Sequence, residues 1–404
     1  MIKMAFRNIF RQKRRSLLTT LTMFGGFVLA SLALGVIDGT YNRIVDEFTR
    51  SRMGHIQIHA RGYLERPTLQ KVIRNGREIG VEIDRSRDAE AWAPRIIAAA
   101  LASVGERTDT ARILGIDPVR ENAATRFERK ITRGRSFSPD PSKEIILGPG
   151  LAQALKAAIG DEVVLVSQAA DGSLANDVYR LIGLADTGDM ATDRTSAYLH
   201  LEDARSLFVL EEAVHEIVVV SRSLKKATNL NASLRESLAA FPVDVQPWQE
   251  FAKSFYNAMQ ADSRGHEMML LILFIVVSFG VLNTTLMSVL ERRREYGVLK
   301  ALGTRPRQVF RLILCEVLLL AAASVVLGAG AGFLINSAVA QHEIVIFSKG
   351  VTFGGMEMRS FTTEVNARTL TIPALTVLFS ALFVSLWPAV RAARTEPARS
   401  IRIF

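Results

Sequence analysis

Side chains that commonly carry chemistry are sparse in this 404-residue chain, and charge is dense in one segment. The chain has six His and one Cys, Cys315, so no intrachain disulfide can form. His55 and His59 lie four residues apart in a predicted strand, a spacing more typical of a polar strand face than of a metal site. No metal site is therefore predicted. The charged segment is 291–311, ERRREYGVLKALGTRPRQVFR, with seven Lys or Arg and two Glu. We call it the elbow.

The sequence contains no motif of independent catalysis. Neither the phosphate-binding pattern G-x-x-x-x-G-K-[ST] nor the hydrolase patterns G-x-S-x-G and H-E-x-x-H occurs. We predict that the chain is not an enzyme and binds no cofactor, so that ATP and its Mg²⁺ must be held by a partner.

The elbow is flanked by stretches long enough to cross a membrane. Four uncharged, mostly apolar windows each exceed the roughly 18–20 residues that a helix needs to span a bilayer. They are residues 16–37, 268–290, 317–340 and 369–390. The first window is too long for a typical signal peptide, which favours an uncleaved anchor. Residues 1–15 have basic and apolar positions at helical spacing and predict a helix in the membrane interface.

The net charge of +10 is concentrated beside alternate ends of these windows. Residues 1–15 carry six basic side chains and no acidic one, the elbow seven against two, and the tail after Val390 four against one. Residues 38–267 carry 30 basic and 33 acidic side chains. By the positive-inside rule, both termini and the elbow are cytoplasmic and 38–267 is outside. This pattern indicates the inner membrane and not a nucleic-acid partner.

The exported segment is predicted to be an α+β domain carried on two helical stalks. Tyr41 and Phe48 continue the first membrane helix up to residue 53, and Phe251 and Phe255 lead into the second, which we expect to run unbroken from Trp248 to Leu302. Two mixed subdomains are expected between the stalks, with a hairpin at Asp171-Gly172. Strands are predicted at 54–59, 111–116, 144–147, 162–168, 178–184, 196–199, 215–220 and 243–246, and helices at 94–103, 149–158, 201–209 and 224–240.

The elbow itself is predicted to be rigid. Gly303 suits a helix C-cap and Pro306 the first turn of the next helix. Val298, Leu299 and Leu302 would then form an exposed apolar patch of the kind that docks into a groove of another protein.

Several strings resemble a known family. EYGVLKALG at 295–303 is similar to the coupling-helix signature of the FtsX/MacB superfamily of ABC permeases. GHIQIHARGYLERP at 54–67, EIILGPGLAQAL at 144–155 and YLHLEDARSLF at 198–208 resemble its lipoprotein-releasing LolC/LolE branch. The resemblance implies a dimer of permeases, identical or LolC/LolE-like, with two ATPase subunits, in which long helices transmit ATP-driven motion to periplasmic domains (mechanotransmission).

The resemblance also implies roles for individual residues. The ATPase-docking positions are Arg294, Glu295, Tyr296, Gly297, Leu299, Lys300, Leu302, Gly303 and Arg305. The segment that matches the carrier-binding hairpin of LolC-like members, 168–177, is short, polar and without an apolar-proline tip. This argues against direct capture of a periplasmic carrier and leaves a LolE-like or homodimeric role open.

Further expectations concern the membrane helices. Ser31 and Gly35 on the first helix, and Gly328 and Gly332 on the third, form small-residue faces for close packing, within the chain or in a dimer. Glu316, near the cytoplasmic edge, is expected to pair with a basic residue of the elbow. A cavity for an amphiphilic substrate is expected between the first two helices. Its candidate lining is Phe27, Leu34, Met269 and Phe274.

The predicted organisation places these features in order along the chain. The segments are an interfacial helix 1–15, membrane helix and stalk 16–53, periplasmic domain 54–247, stalk and membrane helix 248–290, coupling helix 291–311, membrane helix 312–340, periplasmic loop 341–368, membrane helix 369–390 and tail 391–404. The favoured function is ATP-driven release of lipoproteins. The alternatives are an FtsX-like regulator of cell-wall hydrolases and a MacB-like efflux permease for peptides or drugs.

Overall fold

The computed structural model describes residues 2–11, 13–342, 344–345, 351–353, 356–358 and 360–394. Much of the predicted 341–368 loop and of the 391–404 tail therefore lies outside the described residues. The chain forms two compact units. The bundle unit comprises Met1–Tyr41, Met259–Ser348 and Arg359–Phe404, and the sheet unit comprises Asn42–Ala258 and Lys349–Met358.

Helices account for most of the bundle unit. The helices of the described chain are α1 Ile2–Arg11, α2 Lys13–Phe48, α3 Gly76–Arg85, α4 Pro118–Thr125, α5 Pro149–Leu155, α6 Met190–Asp193, α7 Leu201–Phe208, α8 Leu224–Ser237, α9 Trp248–Phe251, α10 Lys253–Glu291, α11 Arg293–Ala301, α12 Pro306–Gln341 and α13 Ala367–Ala393. A π-helical turn, Thr49–Met53, follows α2, and a 3₁₀ turn, Phe127–Lys130, follows α4.

Four helices are long and apolar enough to cross a membrane. The spans are Lys13–Phe48, Glu267–Glu291, Pro306–Gln341 and Ala367–Ala393, and each predicted window lies within one of them. A core of buried apolar side chains joins all four helices: Met23, Phe27, Val277, Val281, Val317, Ala321, Val377 and Ala381.

The small-residue faces of α2 and α12 pack against each other within this chain. A Cβ added at Gly328 would lie 2.7 Å from Cγ of Phe27, and one at Gly332 would lie 2.8 Å from Oγ of Ser31. Gly35 faces Asn336, whose amide donates to Ser31 Oγ at 3.1 Å. The structure therefore assigns these faces to an intramolecular contact.

Gly328→Ala should destabilise the bundle unit. The new methyl group meets the rigid base of the Phe27 ring, and overpacking of this kind costs about 1–3 kcal/mol. Gly330→Ala on the same helix is the matched control, because a Cβ there has nothing within 4 Å. Thermal unfolding of the detergent-solubilised protein should show a lower midpoint for Gly328→Ala only. Equal midpoints for the two variants would contradict the packing.

The sheet unit is built on one ten-stranded mixed sheet. Its strands are β1 Ile56–Ala60, β2 Ala89–Val104, β3 Arg107–Ile116, β4 Ile131–Gly134, β5 Glu144–Leu147, β6 Glu162–Gln168, β7 Leu174–Ala185, β8 Ser196–His200, β9 Glu216–Ser221 and β10 Val243–Pro247. The order is β10-β1-β9-β2-β3-β8-β5-β7-β4, with β6 paired to β2 and β7. Within the described part of the 341–368 segment there are four short strands: β11 Ile344–Val345, β12 Val351–Phe353, β13 Met356–Met358 and β14 Ser360–Phe361. The prediction of two subdomains is wrong, because β1 to β10 belong to one sheet.

The predicted helix at 94–103 is also wrong, because these residues lie in strand β2. Its run of Ala favours a helix locally. In the fold, however, β2 pairs with β3 along Arg95–Val104 and with β6 and β9 on its other edge, so long-range hydrogen bonds override the local preference. The hairpin at Asp171-Gly172 does join β6 to β7, and β4, α3 and α4 were not predicted.

Both faces of the sheet are covered. Ile145 and Ile146 point to opposite faces and belong to different apolar clusters. The larger cluster includes Ile56, Ile58 and Ile96 and packs under the helices. The smaller includes Phe127 and Tyr198, whose rings are 4.9 Å apart.

Candidate functional site

The elbow begins at a break in the helix. Helix α10 ends at Glu291, and Arg292 has φ −91° and ψ 10°, outside the helical range, before α11 starts at Arg293. The chain also turns at Ala252, between α9 and α10. The prediction of one unbroken helix from Trp248 to Leu302 is therefore wrong, since the segment forms three helices. The prediction missed both turns because no local sequence signal marks them.

A partly buried polar cluster fixes this break. The Arg292 guanidinium donates from Nη1 to both carboxylate oxygens of Glu316, at 2.9 and 2.8 Å, and from Nε to Glu295 at 2.9 Å. Asn8 of α1 donates to Glu316 at 2.6 Å, and Arg15 of α2 is ion-paired with Glu291. The cluster ties α1, α2 and α12 to the elbow. The expected partner of Glu316 is thus Arg292, which was not among the predicted site residues.

Part of the elbow faces inward. Tyr296 is 1% exposed and packs with Val309, Ile313 and Ala389 in a small core, against which Leu299 is partly buried. Gly297 is buried as well. Leu299 therefore does not belong to an exposed patch, contrary to the sequence-based expectation, because α11 turns it toward α12 and α13.

The end of α11 is a Schellman cap. Thr304 N–H donates to Leu299 C=O and Gly303 N–H to Lys300 C=O, both at 3.0 Å. Gly303 has φ +96°, a conformation that only glycine adopts without strain. Arg305 is the N-cap of α12. Pro306 is the first residue of α12, as the sequence predicted.

The outward face of the elbow is one stripe along α11 and its cap. Val298 is 44% exposed and Leu302 is 79% exposed. Arg294 is exposed one helical turn before Val298 on α11, and Arg305 is exposed just after the cap, at the N-cap of α12. We call these four residues the elbow stripe. Glu295 and Gly303 are exposed beside it, whereas Lys300 turns away and donates to the Ala393 C=O at 2.8 Å.

Replacing Glu316 should loosen the elbow. Glu316→Gln keeps the side-chain shape but leaves the Arg292 charge, whose side chain is 8% exposed, without its main partner. Loss of one member of a buried pair typically costs about 3–5 kcal/mol. Trypsin should then cut at Arg293 and Arg294 several-fold faster than in the unmodified protein. Glu295→Gln, which removes the exposed partner of the same arginine, should change the rate by less than about twofold. Equal rates for the two variants would contradict a stabilising role for Glu316.

Three of the predicted stalk residues, Phe48, Phe251 and Phe255, lie in the sheet unit. The fourth, Tyr41, is the last residue of the first segment of the bundle unit. Phe48 and Phe255 stack with ring centroids 3.8 Å apart, and Trp248 lies edge-on to Phe255 at 6.1 Å. All three side chains are buried. Phe251 lines a cavity described below.

The four predicted cavity residues do not share one environment. Phe27 and Leu34 are fully buried in the bundle unit, Phe274 is half-buried and Met269 is exposed. Within the described residues, no group of His, Cys, Asp and Glu could hold a metal ion. His59 is instead paired with Glu216 at 3.1 Å, and His55 accepts from the Ser221 N–H at 3.0 Å.

Four long apolar helices, a capped elbow and a β-rich domain inserted after the first of them define a multi-pass membrane protein. Residues 16–237 match the family described as the MacB-like periplasmic core domain, and residues 267–397 match the FtsX-like permease C-terminal family. The first match covers more than half of the chain. The chain therefore belongs to the ABC transporter permeases that combine a MacB-like periplasmic core domain with an FtsX-like C-terminal region.

Individual relatives span most of the chain. It is 24% identical to the lipoprotein-releasing system transmembrane protein LolC of Neisseria meningitidis serogroup B, over 97% of this chain and 96% of that protein. LolC of Xylella fastidiosa is 23% identical over 77% of each chain. The macrolide export ATP-binding/permease protein MacB of Campylobacter jejuni is 23% identical over 99% of this chain, which spans 60% of MacB.

Proposed function

We propose that this permease releases lipoproteins from the outer leaflet of the inner membrane of a Gram-negative bacterium. The observation that carries the proposal is the alignment with LolC, which runs over 97% of this chain and 96% of the relative. The strings at 54–67, 144–155 and 198–208 support the same branch. Release is driven by mechanotransmission, in which motion at the elbow reaches the sheet unit through the long helices.

The energy for release comes from a partner. Two ATPase subunits bind ATP and Mg²⁺, and each docks on the elbow stripe of one permease in a dimer, with an identical or a LolC/LolE-like second permease. The stripe suits this role because two apolar side chains are flanked by two arginines on a surface that the Arg292–Glu316 pair holds in place. The charge distribution supports cytoplasmic termini and a cytoplasmic elbow.

A reconstituted release assay tests the proposal. The permease, co-expressed with its ATPase, is placed in proteoliposomes that carry a fluorescent triacylated lipoprotein, and the soluble lipoprotein is measured after ATP is added. We expect ATP-dependent release of the acylated protein. We expect none when the same polypeptide is anchored in the liposome by a transmembrane helix instead of acyl chains. Adding a periplasmic carrier measures carrier capture, which the polar 168–177 hairpin does not favour.

Efflux of a drug or peptide is the second candidate, because the chain also aligns over 99% of its length with MacB. The same proteoliposomes distinguish the two functions. ATP-driven transport of a macrolide without lipoprotein release would contradict the proposed function and support the second.

A further inference from the structure

The sheet unit contains a cavity of about 400 Å³ on the face of the sheet that carries the smaller apolar cluster. Alternate residues of β1, β2 and β3 point into it: Gln57 and His59, Arg95 and Ile97, Arg112 and Leu114. Strand β9, which lies between β1 and β2, contributes Glu216. The remaining wall comes from the π-helical turn after α2, from α4 and the 3₁₀ turn after it, and from the segment around Thr187. A cavity of this size is large enough for a small ligand.

Some of the charge in the cavity wall is neutralised internally. Arg95 donates to Glu121 at 3.0 and 2.6 Å and to Glu216 at 3.0 Å, and Glu216 is also bonded to His59. All four side chains are buried. Burial alone would raise the pKa of Glu216, but the bonds to His59 and Arg95 lower it to about 2, so the carboxylate stays ionised. Arg95, Glu121 and Glu216 are thus paired without a ligand, whereas the buried His59 Nδ1 has no hydrogen-bond partner among the described residues.

A second set of groups is left over. Arg52, Arg95, Arg112 and Lys130 line the cavity against Glu121 and Glu216. Arg52 is also ion-paired with Asp189 at 3.3 Å, so one positive charge remains in surplus. Within the described residues, the Arg112 guanidinium has no hydrogen bond or ion pair. The Lys130 ammonium has a 3.4 Å contact with Thr125 Oγ1 and lies 5.7 Å from the centroid of the Phe127 ring, without an ion pair. The Tyr63 hydroxyl likewise has no hydrogen-bond partner there. These groups suit a carboxylate, phosphate or sulfonate.

The rest of the wall is apolar. Leu114, Ile116, Phe127 and Ile97 line it beside the ring of Tyr198. Ile116, Phe127 and Tyr198 belong to the smaller cluster, so this part of the cavity is continuous with a packed core. A wall that offers cations without an ion-pair partner together with aliphatic and aromatic carbon matches a molecule with an anionic head and a short apolar body.

We propose that this cavity binds an anionic amphiphile, with its head at Arg112 and Lys130 and its apolar part against Leu114 and Phe127. The proposal concerns the sheet unit alone and does not rest on the substrate proposed above. The ligand can come from the membrane, as an anionic lipid, or from solution, as a free amphiphilic acid. Both sources present the same chemistry to the cavity.

The test uses the full chain in lipid nanodiscs and octane-1-sulfonate, whose charge does not change with pH. Titration calorimetry, corrected with empty nanodiscs, should show saturable binding. Arg112→Gln with Lys130→Gln should weaken it at least tenfold, whereas Arg107→Gln, an exposed arginine on the same strand outside the cavity wall, should leave it unchanged. Leu114→Trp fills the cavity without altering its charge and should abolish binding. Thermal unfolding checks that each variant is folded.

Two comparisons sharpen the outcome. Inorganic sulfate and octanol should each bind at least tenfold more weakly than octane-1-sulfonate. Equal binding of sulfate would reduce the site to a simple anion site and overturn the proposal, as would unchanged affinity in both the double variant and Leu114→Trp. Nanodiscs with anionic lipid in place of zwitterionic lipid identify the source, because only a membrane-derived ligand competes with the sulfonate.

Binding should also depend on pH. Burial lowers the pKa of Lys130 to about 8. The positive charges of Arg95 and Arg52 lower this pKa further, whereas the carboxylates of Glu121 and Glu47 raise it. Lys130 is therefore protonated below pH 8 and loses its charge above it. Burial raises the pKa of Tyr63 and of Tyr198 to about 12, so both remain neutral through this range. The affinity for octane-1-sulfonate should fall several-fold from pH 7 to pH 9, and Lys130→Arg should remove most of this decrease. An unchanged decrease in Lys130→Arg would place the titrating group elsewhere and contradict the assigned head position.

Discussion

Leu302→Asp is expected to release the ATPase from the permease while leaving the permease folded. Leu302 is 79% exposed at the end of α11, so its replacement removes little packing within the chain. In a docked complex the same side chain would be buried, and an aspartate there would bring an unpaired charge into the interface. A loss of about 2–3 kcal/mol corresponds to a roughly 100-fold weaker complex. Co-purification of the ATPase and the stimulation of its activity by the permease measure the effect.

The structure selects which leucine to change. Leu299 packs against the core around Tyr296, so Leu299→Asp would disturb the fold of the elbow as well as its surface. Val298→Asp, in the elbow stripe, should repeat the effect of Leu302→Asp. Val119→Asp is the matched control, because Val119 is equally an exposed apolar residue but lies on α4 of the sheet unit. Normal co-purification of both stripe variants would mean that the ATPase docks elsewhere.

Ala261→Pro is expected to uncouple ATP hydrolysis from substrate release. Helix α10 has 39 residues and is about 58 Å long at 1.5 Å per residue, and the division between the two units falls within it, at Ala258 and Met259. A proline inside a helix removes a backbone hydrogen bond and clashes with the preceding turn, at a cost of about 3 kcal/mol or more. We expect ATP hydrolysis within about twofold of normal and release below about a tenth of normal, both measured in the proteoliposome assay.

The position of the proline matters. Phe255 is the third residue of α10, in the first turn, where proline is better tolerated, and its ring stacks on Phe48, so Phe255→Pro would mix two effects. Ala261 is exposed, and its loss removes no packing. Ala261→Ser keeps the helix and should behave as the unmodified protein. Full release by a stably inserted Ala261→Pro variant would show that α10 is a tether and does not transmit motion.

Several local features followed from the sequence because short-range physics determines them. A helix that crosses the lipid interior must be long and apolar, and each of the four windows lies inside such a helix. Gly303, with its left-handed backbone, follows the end of α11, and Pro306, with its fixed φ, begins α12. These two residues set the limits of the turn in the elbow. The hairpin at Asp171-Gly172 follows in the same way from turn chemistry.

Other features depended on partners distant in sequence. The strand β2 overrode the helix preference of its alanines because three other strands pair with it. Arg292 and Glu316 are 24 residues apart, and the spacing itself did not say which arginine of the elbow would reach the carboxylate. The cavity collects Tyr63, Arg112 and Lys130 from separate elements, so no motif in the sequence signals it.

The sequence by itself determined the class of this protein: its membrane helices, the position of its elbow and the branch of permeases that it resembles. These depend on apolar run length, on charge beside the membrane and on strings of adjacent residues. Only the tertiary structure decided that Leu299 packs inward while Val298 and Leu302 remain exposed. It also decided that the glycine faces of α2 and α12 meet within one chain. Burial and contact are properties of the packed fold. A local sequence pattern cannot predict contacts between residues as far apart in the chain as those of α2 and α12.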